Sequence, residues 1–393
     1  MSHVFHRHCH ASLPIISHGH GAYLYDTRGK KYFDACGGAA VSNLGHDNEQ
    51  VKQAIQKQMN DIPYAHTGFF TNQASEDLAE KLIELAPSSL THVYFSSGGS
   101  EAVEAALKMA RQYYLEQGKT SKTQFIARHQ SYHGNTLGAL SVGGNHWRRE
   151  PFKAIMAASN HIEPCYPYRF KQNNETDEAY SDRCAQTLED TILQMGPENV
   201  MAFVAEPIVG ATSGAVVPTQ GYFKKIREIC SRYDVLLILD EVMCGAGRSG
   251  RFYAFEHEDI TPDIVTIAKG LGAGYQPIGA TVVSSEIFDA ISQGSGFFQH
   301  GHTFMGHPMA CAAGLATITY IMEHNLLERV SILGDALHSK LQGTLGHQNY
   351  IGEIRGRGLF LGIEIVADKQ TKIPHSADVP IAKLIKSAAM DEG

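Results

Sequence analysis

The stretch Val235-Leu-Leu-Ile-Leu-Asp-Glu-Val242 decides the fold, because five apolar residues run without interruption into two carboxylates. A short continuous apolar run of this kind is typical of a strand that is buried on both faces. The next strand-like run, Asp263–Ala268, ends at Lys269 and the glycine-rich Gly270–Gly274. Open α/β sheets bind ligands at the carboxyl ends of their strands. We therefore expect Asp240 and Lys269 to face each other at one edge of a sheet.

Strand-like and helical segments alternate on both sides of this stretch. Strands are predicted at Val93–Ser97, Gln124–Arg128, Met201–Ala205, Leu236–Leu239, Ile264–Ala268 and Ile278–Val283, and helices include about Asn72–Ala86 and Gln220–Tyr233. The alternation predicts an α/β fold with a mostly parallel central sheet that is covered on both faces. The segment from Pro164 to about Arg183 is polar and aromatic without a period, which predicts a long loop.

The chain changes in character after Gly301. Two helices are predicted at His307–His324 and Leu326–Leu345, and the strand in Gly358–Ile365 has Leu359, Leu361, Ile363 and Ile365 on its buried face. Such alternation is typical of an antiparallel sheet. Together with a hairpin around Thr27–Lys30, this predicts a smaller α+β domain. The predicted division is 1–58 (N-terminal segment of the small domain), 59–305 (large domain) and 306–393 (C-terminal part of the small domain).

Composition narrows the class of protein. The 393 residues are 43% hydrophobic and 19% charged, with a net charge of −8 and without long runs of one sign. These values are typical of a soluble globular protein and disfavour a nucleic-acid partner, which would require a basic stripe. We predict no membrane span and no signal peptide. The seven cysteines lack CxxC spacing, which indicates reduced thiols and a cytoplasmic location.

Two further motifs suggest sites that the rest of the sequence does not support. The N-terminal His3, His6, His8 and His10 lack a second half at zinc spacing, so no metal site is predicted. Gly245–Gly250 matches G-x-G-x-x-G, but no helical pattern follows it and the next strand ends in Lys269 rather than in an acid. We therefore do not predict a dinucleotide site.

Three features together indicate a cofactor. Ser96–Ser100 joins a strand to a helix through small residues, so its N–H groups and hydroxyls can surround an anion. Asp240 is placed to face a cationic ring, and the Lys269 amine, if held in an apolar pocket, would have a lowered pKa and be a nucleophile towards aldehydes. A phosphate site, a carboxylate and a Schiff-base lysine are the requirements of pyridoxal 5′-phosphate.

An ordered series of motifs then resembles the class III aminotransferases, pyridoxal-phosphate enzymes of fold type I that include the ω-amino acid:pyruvate transaminases. The series covers nearly the whole chain. It comprises Gly21–Asp26, Ser97–Ala102, Ser131–Gly134, Ala205–Pro207, Leu239–Val242, Gly245–Gly250, Ala268–Gly270, His302–Pro308 and Arg355–Leu359.

The resemblance implies a role for each matching position. Lys269 would form the Schiff base and move the proton, and Asp240 would bind the pyridine nitrogen. Glu206 would lie near the substrate and complete the catalytic set. The remaining cofactor-binding positions would be Gly99, Ser100, Tyr132, His133, Val242 and Thr303. Thr303 would reach the neighbouring subunit, which implies a homodimer with shared active sites.

The sequence departs from the family at two places. Relatives acting on ornithine or γ-aminobutyrate carry an Arg after His-Gly, where this chain has Asn135. An amide cannot form the bidentate charged pair that a guanidinium offers a carboxylate. Relatives also continue past the equivalent of Ala388–Gly393 into a part that supplies another carboxylate-binding Arg. We expect either a fragment or an acceptor that is held in another way.

The resulting expectation is an aminotransferase that moves an amino group from an ω-amino acid or amine to a keto acid, with pyruvate as the expected acceptor. Another pyridoxal-phosphate reaction, such as that of an aminomutase, racemase or decarboxylase, stays open. A non-catalytic scaffold or a dinucleotide oxidoreductase is disfavoured, because Lys269 and Asp240 are both present.

Overall fold

The computed structural model describes residues 3–376 and 378–393. The strands are β1 (Ile16–His20), β2 (Tyr23–Asp26), β3 (Lys31–Phe33), β4 (Leu90–Ser96), β5 (Gln124–Arg128), β6 (Asn160–Ile162), β7 (Val200–Ala205), β8 (Leu236–Asp240), β9 (Ile264–Ala268), β10 (Gly279–Ser284), β11 (Ile351–Arg357) and β12 (Phe360–Ile365).

The helices alternate with these strands through most of the chain. They are α1 (Gly37–Ala40), α2 (Glu49–Asp61), α3 (Gln73–Glu84), α4 (Gly99–Glu116), α5 (Leu137–Val142), α6 (His146–Arg149), α7 (Pro167–Phe170), α8 (Asp177–Met195), α9 (Tyr222–Arg232), α10 (Ser285–Gln293), α11 (Pro308–Glu323), α12 (Leu326–Leu345) and α13 (Ile381–Glu392). Short 3-10 helices lie at Glu150–Ile155, Pro197–Asn199, Ala254–Glu258 and Lys269–Leu271.

Seven strands form the central sheet in the order β4-β10-β9-β8-β7-β5-β6. Neighbours from β9 to β6 are parallel, whereas β10 is antiparallel to both β9 and β4. All strands of the central sheet except β10 therefore run in the same direction. The predicted α/β fold with a mostly parallel sheet is confirmed. The strands β4, β5, β7, β8 and β9 bring their carboxyl ends to one edge.

The continuous apolar runs form strands that are covered on both faces. Every residue of β7, β8 and β9 is buried. Leu237 and Leu239 pack into the cluster that includes α8 and α9, whereas Ile238 packs into the cluster that includes α4 and α10. Successive side chains on a strand point to opposite faces, so an all-apolar run is the pattern that two covered faces require.

The helix starts follow the capping residues in the sequence. Asn48 accepts a hydrogen bond from the backbone N–H of Val51 at the start of α2, and Asn72 accepts one from Ser75 at the start of α3. These side chains satisfy N–H groups that have no partner within the helix. The predicted hairpin is also confirmed, since β2 pairs with β3 antiparallel.

The prediction of a loop from Pro164 to about Arg183 is wrong. The segment contains α7 and the first part of α8, which begins at Asp177. Thr176 caps α8 by accepting a hydrogen bond from the N–H of Ala179. Two acidic residues in the first turn interact favourably with the positive end of the helix dipole. The buried face of this helix consists of Tyr180, Ser181, Cys184, Ala185, Leu188 and Ile192. Its period extends past Arg183 and is therefore missed when the segment is read alone.

The buried face predicted for the last strand is also wrong. β12 pairs antiparallel with β11, but Phe360 is buried whereas Ile363 is 38% exposed. Phe360 packs against Ile208 and Ala215, and Glu364 on the same face forms an ion pair with Arg169. The inward face of β12 therefore carries the charged Glu364, and the face that hydrophobicity alone indicated as buried points outward. The boundaries at 58/59 and 305/306 stay a prediction.

Among the described helices, none combines the length and hydropathy needed to cross a bilayer.

Replacing Leu237 by Ala is expected to lower the free energy of unfolding by about 2–5 kcal/mol, because the side chain is fully buried within β8. Leu193→Ala in α8, where the side chain is 52% exposed, is the matched control and should change it little. Guanidinium denaturation of both variants at one protein concentration measures the difference. Equal losses in the two variants would contradict the placement of β8 at the centre of the sheet.

Candidate active site

Eight of the nine predicted site residues meet at the carboxyl edge of the sheet. One cavity of about 160 Å³ is lined by Gly99, Ser100, Tyr132, His133, Gly134, Glu206, Asp240, Val242, Met243 and Lys269. Each of these eight residues ends or follows a strand whose carboxyl end lies at this edge, as expected for ligand sites in open α/β sheets. Thr303 lies outside this cavity in an exposed loop, where its carbonyl accepts a hydrogen bond from Tyr64.

Asp240 ends β8 and is only 4% exposed. Its Oδ2 lies 2.8 Å from Nδ1 of His133, and its Oδ1 accepts the backbone N–H of Val242 at 3.0 Å. The Thr266 hydroxyl approaches Oδ1 at 3.5 Å. A buried carboxylate requires such partners, because removing it from water without them is costly. They hold it in one orientation facing the cavity.

Lys269 follows β9, the neighbour of β8 in the sheet. Burial lowers the pKa of its amine below the ordinary value, although the carboxylates of Asp240 and Glu206 act in the opposite direction. A lowered pKa leaves more of the amine neutral and nucleophilic near pH 7. Lys269 also has a φ of 47°, in the left-handed region that non-glycine residues seldom adopt. Strained backbone of this kind is common at functional sites.

Glu206 follows β7 and is 3% exposed. Its Oε1 accepts the N–H of Tyr132 at 3.0 Å, and its Oε2 accepts the N–H of Gly210 at 2.9 Å. Burial raises the pKa of this carboxyl, and the neighbouring Asp240 carboxylate acts in the same direction. Glu206 thereby connects the loop that carries Tyr132 to the loop that follows β7.

The start of α4 forms a compact turn beside the cavity. A Cβ on Gly99 would lie 2.7 Å from Cγ1 of Val242, so only glycine permits this approach. The Ser100 hydroxyl donates to Oδ1 of Asn135 at 3.1 Å and accepts the Asn135 N–H at 3.1 Å. The first N–H groups of an 18-residue helix are directed towards this region. The turn therefore has the features of an anion site.

The sequence prediction missed two residues at the margin of the site. Glu241 is fully buried and accepts the N–H groups of Ala254 and Phe255 at 2.5 and 2.7 Å. Burial raises the pKa of its carboxyl to about 8, against the effect of those hydrogen bonds. The signal was available, because a second acid at the end of a buried run requires donors. The Arg148 guanidinium stacks on Tyr132 at 4.6 Å, and no sequence pattern indicated this contact.

These groups fit pyridoxal 5′-phosphate. The cavity offers a fixed carboxylate at Asp240, a partly buried amine at Lys269 and helix N–H groups at Gly99 and Ser100. Nε2 of His133 is buried and has no hydrogen-bond partner among the described residues. A protonated pyridine ring, an aldehyde and a phosphate match the first three features. Across the described residues, no cluster of His, Cys, Asp and Glu has the arrangement of a metal site.

Comparison with known proteins gives a consistent result. The model of the class III aminotransferase family matches residues 4–393. The chain is 43% identical to an uncharacterized aminotransferase of Schizosaccharomyces pombe over 97% of its own length and 83% of the relative. It is 37% identical to the putrescine–pyruvate aminotransferase of Pseudomonas aeruginosa, over 91% of this chain and 78% of the relative. The crystal structure of the ω transaminase from Pseudomonas jessenii in complex with PMP superposes on this chain with a TM-score of 0.91. The two are 37% identical, over 96% of this chain and 84% of the transaminase.

We expect Gly99→Ala to weaken binding of pyridoxal 5′-phosphate, because the added methyl group would displace Val242. Overpacking costs roughly 1–3 kcal/mol, so the Kd of the cofactor should rise by about 10-fold. Absorbance titration of the cofactor-free protein measures this change. Gly343→Ala is the matched control, because a Cβ there meets nothing within 4 Å. Unchanged cofactor affinity in the Gly99 variant would contradict an anion site at the start of α4.

Proposed function

Because this chain belongs to the class III aminotransferases, which depend on pyridoxal 5′-phosphate, we propose that it moves an amino group from an ω-amino acid or amine to a keto acid, with pyruvate as the first acceptor to test. The observation that carries the proposal is the juxtaposition of the Asp240 carboxylate and the Lys269 amine in one cavity. The similarity to a putrescine–pyruvate aminotransferase and to ω transaminases supports this donor class and this acceptor.

The proposed cofactor contacts follow from the lining of the cavity. Asp240 holds the ring nitrogen protonated, because an anchored buried carboxylate stabilises a neighbouring cation. Val242 and Tyr132 both line the cavity, and they would pack on the two faces of the ring. Gly99 and Ser100 hold the phosphate at the start of α4. His133 fixes the orientation of Asp240 through the 2.8 Å contact.

The bound cofactor supplies an aldehyde that reacts with amines and a ring that stabilises negative charge on the adjacent carbon. Lys269 would hold the cofactor through its amine, the group that reacts with an aldehyde. When a donor amine is bound, the same amine would remove the proton from the donor carbon and donate it again, acting as a general base and acid. Its lowered pKa favours the neutral form that removes the proton. Glu206 keeps the loop of Tyr132 in place during this transfer.

The substrate preference rests partly on Asn135. Its side chain is engaged with the Ser100 hydroxyl, and it carries no charge. A substrate carboxylate would gain little there compared with a guanidinium. We therefore propose that ornithine and γ-aminobutyrate are poor donors relative to other ω-amino acids and amines.

The proposed assembly is a homodimer with shared active sites, in which Thr303 of a second copy completes the phosphate site. Thr303 is exposed on its own chain, as this arrangement requires. We also propose a cytoplasmic location, because the cysteines are free thiols, as is usual there.

The first experiment is a visible absorption spectrum of the purified protein with its cofactor, recorded before and after addition of β-alanine and then of pyruvate. We expect the cofactor band to bleach with the donor and to return with the keto acid. A band that ignores every amine would contradict the proposal and indicate an aminomutase, racemase or decarboxylase. Absence of a band at saturating cofactor would contradict the roles of Asp240 and Lys269.

Lys269→Ala is expected to abolish pyruvate-dependent loss of the amine while cofactor can still bind, because the proton-transferring group is removed. Asp240→Asn should lose most of the activity, since an amide cannot stabilise a pyridinium by charge. Steady-state turnover with β-alanine measures both effects. The control is Lys224→Ala on the exposed face of α9, which should retain wild-type turnover. Turnover of the Lys269 variant near the wild-type rate would contradict the assignment of Lys269 as the proton-transferring group.

A further inference from the structure

The arginine beside Tyr132, Arg148, has a guanidinium that no described acid neutralises. The Arg148 guanidinium lies 4.6 Å from the centre of the Tyr132 ring and 5.8 Å from that of Trp147. Within residues 3–376 and 378–393 it has no hydrogen bond or ion pair. Its side chain is partly exposed. A guanidinium carries five N–H donors, so an unpaired one beside an active site can bind an anion.

The neighbouring arginines are already engaged. Arg128 donates to the Glu206 carbonyl and Arg149 to the Ser141 carbonyl. Arg169 and Arg355 both form ion pairs with Glu364, in the wall of the larger neighbouring cavity. Of these five arginines, Arg148 is the one whose guanidinium forms neither a hydrogen bond nor an ion pair with the described residues.

The backbone of Arg148 is held in place although its side chain is free. Asn145 caps the short helix α6 by accepting the Arg148 N–H at 3.1 Å. The next residue, Arg149, is anchored by its side chain to the Ser141 carbonyl. The acid closest in sequence, Glu150, pairs with His146 instead. The cation–π contact with Tyr132 holds the guanidinium over the ring, and its N–H donors have no hydrogen-bond partner among the described residues.

We propose that Arg148 binds the carboxylate of the amino-acid donor, an inference that rests on the proposed aminotransferase function. An ω-amino acid donor carries a carboxylate, and Asn135 supplies no charge for it. A guanidinium meets a carboxylate through two parallel N–H···O bonds, which fixes the substrate's orientation as well as its affinity.

This placement has a consequence for substrate length. Arg148 does not line the cavity that contains Lys269, whereas Tyr132 does. A substrate whose amine lies at Lys269 must therefore extend past the Tyr132 ring to reach the guanidinium. Arg148 thus favours ω-amino acids that are longer than γ-aminobutyrate, such as δ-aminovalerate, over β-alanine.

The test compares amino acids with amines that have the same number of carbons but lack the carboxylate. Two pairs serve, β-alanine with propylamine and δ-aminovalerate with pentylamine. We expect Arg148→Gln to lower kcat/KM for δ-aminovalerate by about 10- to 100-fold, the range for a lost charged hydrogen-bond pair. Pentylamine and propylamine should change by less than about 3-fold, and β-alanine should be affected less than δ-aminovalerate. Lys153→Gln, which removes an exposed positive charge from the next turn, is the control.

A binding measurement separates this role from the positioning of Tyr132. Trp147 is the sole tryptophan of the chain and lies against Arg148, so its fluorescence reports on ligands there. Glutarate should change the fluorescence of the wild-type holoenzyme saturably, with weaker binding in Arg148→Gln and partial recovery in Arg148→Lys.

The outcomes are distinct. Equal losses for amines and amino acids, with unchanged glutarate binding, would show that Arg148 only positions Tyr132 and would overturn the proposal. Unchanged kinetics for all four donors would overturn it as well. If no donor lost its amino group in the wild type, the aminotransferase proposal itself would fail. Glutarate binding would then still decide whether Arg148 holds a carboxylate.

Discussion

The site depends on one buried carboxylate that is held in place by the sheet. Asp240 is 4% exposed at the end of β8, and the cost of removing its charge from water is offset by His133, by the N–H of Val242 and by Thr266. These contacts require the loop after β5, the turn after β8 and the neighbouring strand β9 to occupy defined positions. The pocket is organised around the hydrogen bonds of this charge, and a displacement of any of the three segments would remove one of its partners.

Two further buried acids extend the same principle to the loops. Glu206 holds the N–H groups of two segments, and Glu241 holds the start of a 3-10 helix that follows the glycine-rich turn. Loops cannot bury their backbone without partners for it, and carboxylates supply strong acceptors. Acids that receive backbone N–H groups thereby make irregular segments as well defined as strands. A proton transfer over hydrogen-bond distances requires that degree of order.

The sequence predicted the centre of the molecule better than its margins. The apolar runs before Asp240 and Lys269 identified adjacent strands, because a doubly covered strand has a composition that few other elements share. The start of α8 was missed because its helical period becomes clear only beyond Arg183. The buried face of β12 was misassigned because Glu364 points inward to Arg169, a contact between residues far apart in the chain. The stacking of Arg148 on Tyr132 is likewise tertiary, and no local pattern encodes it.

The position of β10 has a consequence for the order in which the protein folds. β10 is the last of the seven strands in the chain, yet it separates β4 from β9 in the sheet. The turn at Gly99 and the amine of Lys269 therefore reach their final separation only after residues 279–284 have left the ribosome and inserted between earlier strands. Such long-range pairing is slow, and strand edges that remain unpaired are open to association. Until β10 is inserted, the edges of β4 and β9 that it covers in the finished sheet have no strand partner on that side.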